Sequence, residues 1–323
     1  MKLRIVIVAA LGLALALYLV TYVGIGAVFT AAVAVGWSGF AILCLYILLP
    51  FLILGAAWYV LLTESPIRLR MIVWARMVRD AATEVLPFAQ VGGIVIGARV
   101  AILHGISQPL VFASVIVDVT TEMLAQVAYI ALGVAILSAR APRTSFTQSL
   151  TTGLIAGLVV ALIAGVVFLA LQRHSQKMSA RILARIFPGA VAATAAVTAA
   201  LNAIYRSPLR VGLSVLLHLA GWIASGIGAW VAFRLIGAHI DLAAVLAIES
   251  LICATRSVAA LIPNALGVQE AAYAVLSPLF GVGAEFGLAV SLLKRARDIS
   301  VGVPILLIWQ AAEGQRALDR ARS

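Results

Sequence analysis

Charge is what this sequence has least of. Only 11% of its 323 residues are Asp, Glu, Lys or Arg, where soluble domains carry about 25%. A soluble fold of this length could not solvate a chain that is 64% hydrophobic, and the mean hydropathy of +1.14 points the same way. A bilayer accepts that much apolar area, provided the backbone satisfies its own hydrogen bonds. The alternation that marks barrel strands is missing and the apolar runs are too long for such strands, so helices are expected. Cysteine is scarce as well. Cys44 and Cys253 both lie in apolar stretches and make neither a disulfide framework nor a metal site. No zinc motif, phosphate-binding loop or Gly-x-Ser-x-Gly elbow stands in the chain, and no cofactor is expected. Acidic residues are outnumbered, 12 against 23 basic, for a net charge of +11. In a soluble chain that excess would suggest nucleic acid. Without aromatics interleaved along a basic stripe, it reads instead as Lys- and Arg-rich cytoplasmic loops, with no nucleic-acid partner.

What the chain does have is a succession of apolar segments. Met1–Arg4 and the run from Ile5 to about Val35 are longer than a signal core and read as an uncleaved first span. Phe40–Leu62, Leu110–Ser138, Leu150–Leu171 and Val211–Ile236 follow as spans, and Ala284–Ala312 is the last. The expected fold is thus an all-α polytopic membrane protein with about six full spans, one transmembrane domain over 1–323. Two further segments are different. Ser65–Gly105 mixes Arg68, Arg70, Arg76, Arg79, Asp80, Glu84, Arg99 and His104 with apolar residues around Pro87 and Gly92-Gly93. Leu242–Phe280 is interrupted by Pro263 and Gly267. Both read as broken helical hairpins, re-entrant in the expected arrangement, with a full crossing as the alternative. The basic run Arg173, His174, Lys177, Arg181 and Arg185 reads as an amphipathic interfacial helix within a linker, 173–208. Ala190–Tyr205 is a short interfacial or partial span.

The broken segments resemble each other. Arg79 precedes Leu86-Pro87 as Arg256 precedes Ile262-Pro263, with Ala two residues after each Pro and then Gly92 or Gly267. With the N- and C-termini cytoplasmic, the basic loops fall inside and the segments enter from opposite faces. Inverted repeats with Pro/Gly interruptions at matching positions are the signature of secondary transporters, whose site lies between them near the midplane. The halves run roughly over 40–138 and 209–312.

Charges inside the membrane are costly and mark function or pairing. Asp118, Glu122 and Gln126 share one face of the third span; Lys294, Arg295 and Asp298 cluster in the last. A buried polar network is expected there, in which Asp118 and Glu122 offset Lys294, Arg295 or Arg297. Arg76, Arg79 and Arg99 are candidate contacts for phosphate or carboxylate, because guanidinium is a rigid fork of donors. Snorkelling to the interface is the bland alternative for them. None of His104, His174, His218 and His239 reads as a ligand, and no metal is expected.

Several stretches carry a family resemblance: Trp74-Ala-Arg76-Met-Val-Arg79, Leu86-Pro87-Phe88-Ala-Gln90-Val-Gly92-Gly93, Gly97-Ala-Arg99, Ala113-Ser114 with Asp118 and Glu122, and Ile262-Pro263-Asn264-Ala-Leu-Gly267-Val-Gln269-Glu270. Over nearly the whole chain they resemble the flippase-like family of the lysylphosphatidylglycerol synthase transmembrane region, most of all its hopanoid-biosynthesis-associated branch. The resemblance implies a bacterial inner-membrane protein that moves lipid between leaflets or hands it onward. In the fused synthases an aminoacyl-transferase domain follows; here the chain ends at Ser323, so that activity is not expected. Family members often have Gly-Gly-Glu where this chain has Gly92-Gly93-Ile94, which unsettles any transfer of headgroup specificity. The resulting expectation is a flippase-like transporter of a polar-headgroup or isoprenoid lipid. Arg76, Arg79, Gln90, Arg99, Arg256, Asn264, Gln269 and Glu270 would meet the substrate. Asp118, Glu122, Gln126, Lys294, Arg295 and Asp298 would form the buried network, and Pro87, Gly92, Gly93, Pro263 and Gly267 the breaks. The rivals are an intramembrane lipid-modifying transferase and a non-transporting scaffold among lipid-biosynthesis proteins; the sequence leaves oligomeric state open.

Overall fold

In the computed structural model, residues 25–62, 68–86, 89–186, 190–259, 265 and 267–322 are described, and among them every regular element is a helix. In chain order these are α1 (Ile25–Tyr46), α2 (Leu48–Tyr59), α3 (Leu69–Val85), α4 (Ala89–Leu103), α5 (Gln108–Arg140), α6 (Ser145–Ile186), α7 (Ala190–Tyr205), α8 (Pro208–Leu235), α9 (Leu242–Val258), α10 (Val268–Leu276) and α11 (Ala284–Arg322). Runs of Ala, Leu, Ile and Val close their own backbone hydrogen bonds, as an apolar solvent demands. Proline opens α5 and α8, where its missing N–H costs nothing. Asp241 caps α9 by accepting the Ala244 amide at 3.1 Å.

Four helical stretches among the described residues are long and apolar enough to cross a membrane: Val35–Tyr59, Gln108–Arg140, Ser145–Val167 and Pro208–Leu235. They match the second to fifth expected spans. The first expected span begins outside the described residues. The last corresponds to α11, a helix of 39 residues carrying Lys294, Arg295, Arg297 and Asp298. The expected interfacial helix does not form as a separate element. Backbone hydrogen bonding continues from the fourth span, and α6 runs unbroken for 42 residues to Ile186.

Each broken segment is a pair of short helices. α3 and α9 have 17 residues each, fewer than the roughly 20 that a full crossing needs. Each packs against the arm that follows it, α4 and α10 respectively. Pro87, Pro263 and Asn264 lie outside the described residues, as does the side chain of Gln90. Gly92 and Gly93 were expected at a break, but α4 runs through them. A Cβ on Gly93 would sit 2.7 Å from the Arg79 carbonyl oxygen, and one on Gly97 2.8 Å from the Arg79 Cβ. These glycines let α4 lie close against α3, the role small residues play between membrane helices. Gly267 is a true break: its φ of 77° is a left-handed conformation, and its amide donates to the Glu270 carboxylate at 2.8 Å.

Apolar packing holds two halves of the bundle. One core gathers Trp58, Ile72, Val78 and Val111, another gathers Phe233, Ile248, Leu251 and Leu293, and a smaller third joins Leu61, Ala113 and Ile204. Charge accumulates between the first two.

Candidate functional site

α3 turns the usual amphipathic rule inside out. Its buried face, Ile72, Ala75, Arg76, Val78, Arg79 and Ala82, includes two of its three arginines. An apolar exterior suits lipid, so the polar side must face protein or a cavity. Arg76 and Arg79 are 2% and 6% exposed, which rules out snorkelling, and both reach the acidic face of α5. Arg79 donates to Asp118 at 2.5 Å and to Glu122 at 3.0 Å. Arg76 donates to Glu122 at 2.8 Å, to Asp118 at 3.2 Å and to Asp80 on its own helix at 2.8 Å. Two forks thus meet three carboxylates. From α8, His218 completes the cluster, its Nε2 lying 3.1 Å from the fully buried Asp118 carboxylate.

This corrects the expected pairing. Asp118 and Glu122 are offset by Arg76 and Arg79, and α11 finds its own partners. Lys294 donates to Glu249 of α9 at 2.5 Å and to the Tyr273 hydroxyl at 2.9 Å. Tyr273 in turn donates to Glu249. Arg295 pairs with Glu270, and Arg297 with the adjacent Asp298 at 2.6 Å. Ligand atoms of Asp118, Glu122 and His218 lie within 4.8 Å of one another, a spacing a cation could use. The guanidinium groups of Arg76 and Arg79 already supply positive charge to both carboxylates.

The expected residues are therefore brought together selectively. Arg256 donates to Glu84 of α3 at 2.8 Å. Gln269 bonds Ser291 at 3.0 Å, tying α10 to α11. Gln126 donates to Ser257 at 2.5 Å. Arg99 stands apart: it pairs with Glu313 near the end of α11, with its side chain 59% exposed. At the far end of α5, Arg140 donates to Asp241 at 2.7 Å. Slight burial works against ionisation of that carboxyl, but the Ala244 amide and Arg140 outweigh it and hold Asp241 below the usual carboxylate range.

Between the two larger cores lies a cavity of about 490 Å³, walled by α2, α3, α5, α8, α9 and α11. Its charged lining consists of Arg76, Arg79, Arg256, Lys294 and Arg297 against Asp80, Glu84, Glu122, Glu249 and Asp298. Five charges of each sign balance. The remaining wall is largely aliphatic and aromatic, including Phe51, Leu54, Tyr129 and Trp222. Such a chamber can hold a polar group inside a membrane while its apolar attachment rests on hydrophobic wall.

Sequence reasoning missed three members of this arrangement: His218, Glu249 and Tyr273. Two left a signal. Glu249 is the sole acidic residue in α9, and His218 stands in the middle of an apolar span; intramembrane ionisable groups are site candidates by default. Tyr273 carried none, since an aromatic on a short helix is ordinarily packing.

Helices of membrane-spanning length around a charged internal cavity define a polytopic helical membrane protein. The chain belongs to the family described as the lysylphosphatidylglycerol synthase TM region, whose match covers residues 3–305. Membership ties it to lipid handling. Neither among curated proteins nor among solved structures is there a match to this chain.

Proposed function

We propose that this protein is a lipid flippase-like transporter that takes a polar headgroup into the cavity between its two broken segments while the lipid tail stays against apolar helix faces. The observation that carries the reading is the cavity itself: ten paired charges inside a bundle whose outer faces suit hydrocarbon. A bundle stabilised only by packing has no need of such an interior, because buried ion pairs add little net stability over apolar side chains. The inverted-repeat reading is supported by the contact between Arg256 and Glu84 at 2.8 Å. Arg256 lies seven residues before Pro263, and Glu84 three before Pro87, so the inner ends of the two segments meet beside the cavity. The Arg140–Asp241 pair groups the end of α5 with the start of α9, and Arg99–Glu313 groups α4 with the end of α11. Both groupings fit termini on the cytoplasmic side of a bacterial inner membrane.

The test is translocation by the purified protein in liposomes carrying fluorescent lipids from a bacterial extract, read by quenching of the outer leaflet. Wild type should accelerate loss of the protected signal over protein-free vesicles. Ser225→Trp, at a neutral wall position, should fill the cavity and abolish the acceleration in a protein that still elutes as a folded species. Equal rates for wild type and empty vesicles would overturn the reading.

A further inference from the structure

We infer that Tyr129 and Trp222 form a donor subsite in the cavity wall that takes an acceptor oxygen of an uncharged, oxygen-rich lipid headgroup. This rests on reading the cavity as a headgroup site and narrows what the site accepts. The charged lining gives the first half of the case. Each of its ten side chains has an opposite charge within 3.0 Å. An anionic headgroup entering this chamber competes with a carboxylate for every guanidinium and ammonium it meets. A carboxylate it displaced would stand uncompensated in a poorly solvated interior, which is strongly unfavourable. A cationic headgroup meets the same obstacle with the signs reversed.

The neutral lining gives the second half. The Tyr129 hydroxyl and the Trp222 indole nitrogen are buried, and neither has a hydrogen-bond partner. Both residues line the cavity, and Tyr129 is only 1% exposed. Their rings stack with centroids 6.2 Å apart and planes 18° from parallel. Nearby polar wall groups are already engaged: the Tyr46 hydroxyl donates to the Ala224 carbonyl at 3.0 Å, and Thr83 to the Arg79 carbonyl at 3.0 Å. Buried polar groups are nearly always satisfied, so two orphans side by side in one wall call for an explanation. An indole N–H can only donate, and a phenol donates readily. The partner they lack is an oxygen acceptor such as a hydroxyl, glycosidic or ester oxygen. Packing fixes the Tyr129 hydroxyl in place, because a Cβ on Gly226 of α8 would lie 2.7 Å from it. A ligand that satisfies these donors leaves every ion pair closed.

The experiment compares binding of monoglucosyl diacylglycerol and phosphatidylglycerol to the purified full-length protein by native mass spectrometry, alongside thermal unfolding. Wild type should retain the glucolipid in preference to the anionic lipid. Tyr129→Phe and Trp222→Phe keep the stacked rings and remove one donor each. Each should weaken glucolipid binding about fivefold to tenfold, and Tyr129→Phe should do so with an unchanged or higher melting temperature, because no internal bond is lost. Undiminished glucolipid binding in both variants, or preference for phosphatidylglycerol in wild type, overturns the inference. A clear drop in melting temperature for Tyr129→Phe, which removes only the oxygen, also overturns it, by showing that the hydroxyl is engaged within the fold. The two readings fail separately. Translocation blocked by Ser225→Trp without a glucolipid preference leaves the transporter and removes the subsite. Glucolipid binding lost in the Phe variants of a protein that moves no lipid leaves the subsite and removes the transporter.

Discussion

The two broken segments carry their charges in opposite ways. α3 sends two arginines into a network that spans three helices, where Asp118 is fully buried and His218 stands behind it. α9 contributes an acid, Glu249, which a lysine and a tyrosine hold from elsewhere in the chain. Its own arginine, Arg256, is left about one-third exposed beside Glu84. Over α3 two guanidinium forks are shared among three carboxylates; over α9 one carboxylate is held by one ammonium and one hydroxyl. A shared network ties helices together, because no member can leave without stranding another. Single pairs at the cavity wall can open one at a time.

The sharpest way to break that comparison is Asp118→Ala. It takes one of two carboxylates from Arg79, a further one from Arg76 and the partner of His218, and removing one partner of a buried pair costs about 3–5 kcal/mol. Thermal unfolding in detergent should show a large loss, and the double change Asp118→Leu with Arg79→Met should recover part of it. Arg295→Ala should recover none. Recovery by Arg295→Ala would mean that the α5 acids answer to α11 after all.

A smaller effect is expected on the other side. Glu249→Gln keeps the shape but weakens a charged hydrogen bond to Lys294 and the acceptor of Tyr273, costing about 2 kcal/mol. A loss equal to that of Asp118→Ala would erase the distinction between network and pair. Glu84→Arg should lower the melting temperature, because it sets two guanidinium groups against each other where a pair about 30% exposed on each side stood. Adding Arg256→Glu should restore the melting temperature; failure to do so would separate the inner ends of the two segments. Arg99→Ala marks the bottom of the scale. Its pair with Glu313 is exposed, so stability should change by no more than about 0.5 kcal/mol and translocation should persist. Loss of transport in a folded Arg99→Ala protein would place a second contact outside the cavity.

Much of this was legible before any coordinates. Composition specified the bilayer, and spacing put Asp118 and Glu122 on one face of one helix. Gly267 marked a break, while Gly93 turned out to serve a close helix contact rather than a break. The choice of partners was not legible. Arg76 and Arg79 looked like free ligands, and the acids looked destined for α11, because both pairings satisfy the same charge rule. Of the three residues passed over, Glu249 and His218 stood out as ionisable groups within apolar helices, whereas Tyr273 is unremarkable on its own helix and gains meaning only from what stands opposite.

What the sequence determined by itself is local. Within hydrocarbon a backbone must bond to itself, so apolar runs become helices whatever surrounds them. Charge inside such a helix must then face inward. Which inward faces meet was decided by the tertiary structure alone, through contacts between segments far apart in the chain. Gly93 and Gly97 let α4 close on α3, α3 then lies against α11 and α2, and its arginines fall opposite α5. The cavity is what remains between those faces, and its balance of charge arises because each buried charge requires an opposite charge within hydrogen-bonding distance.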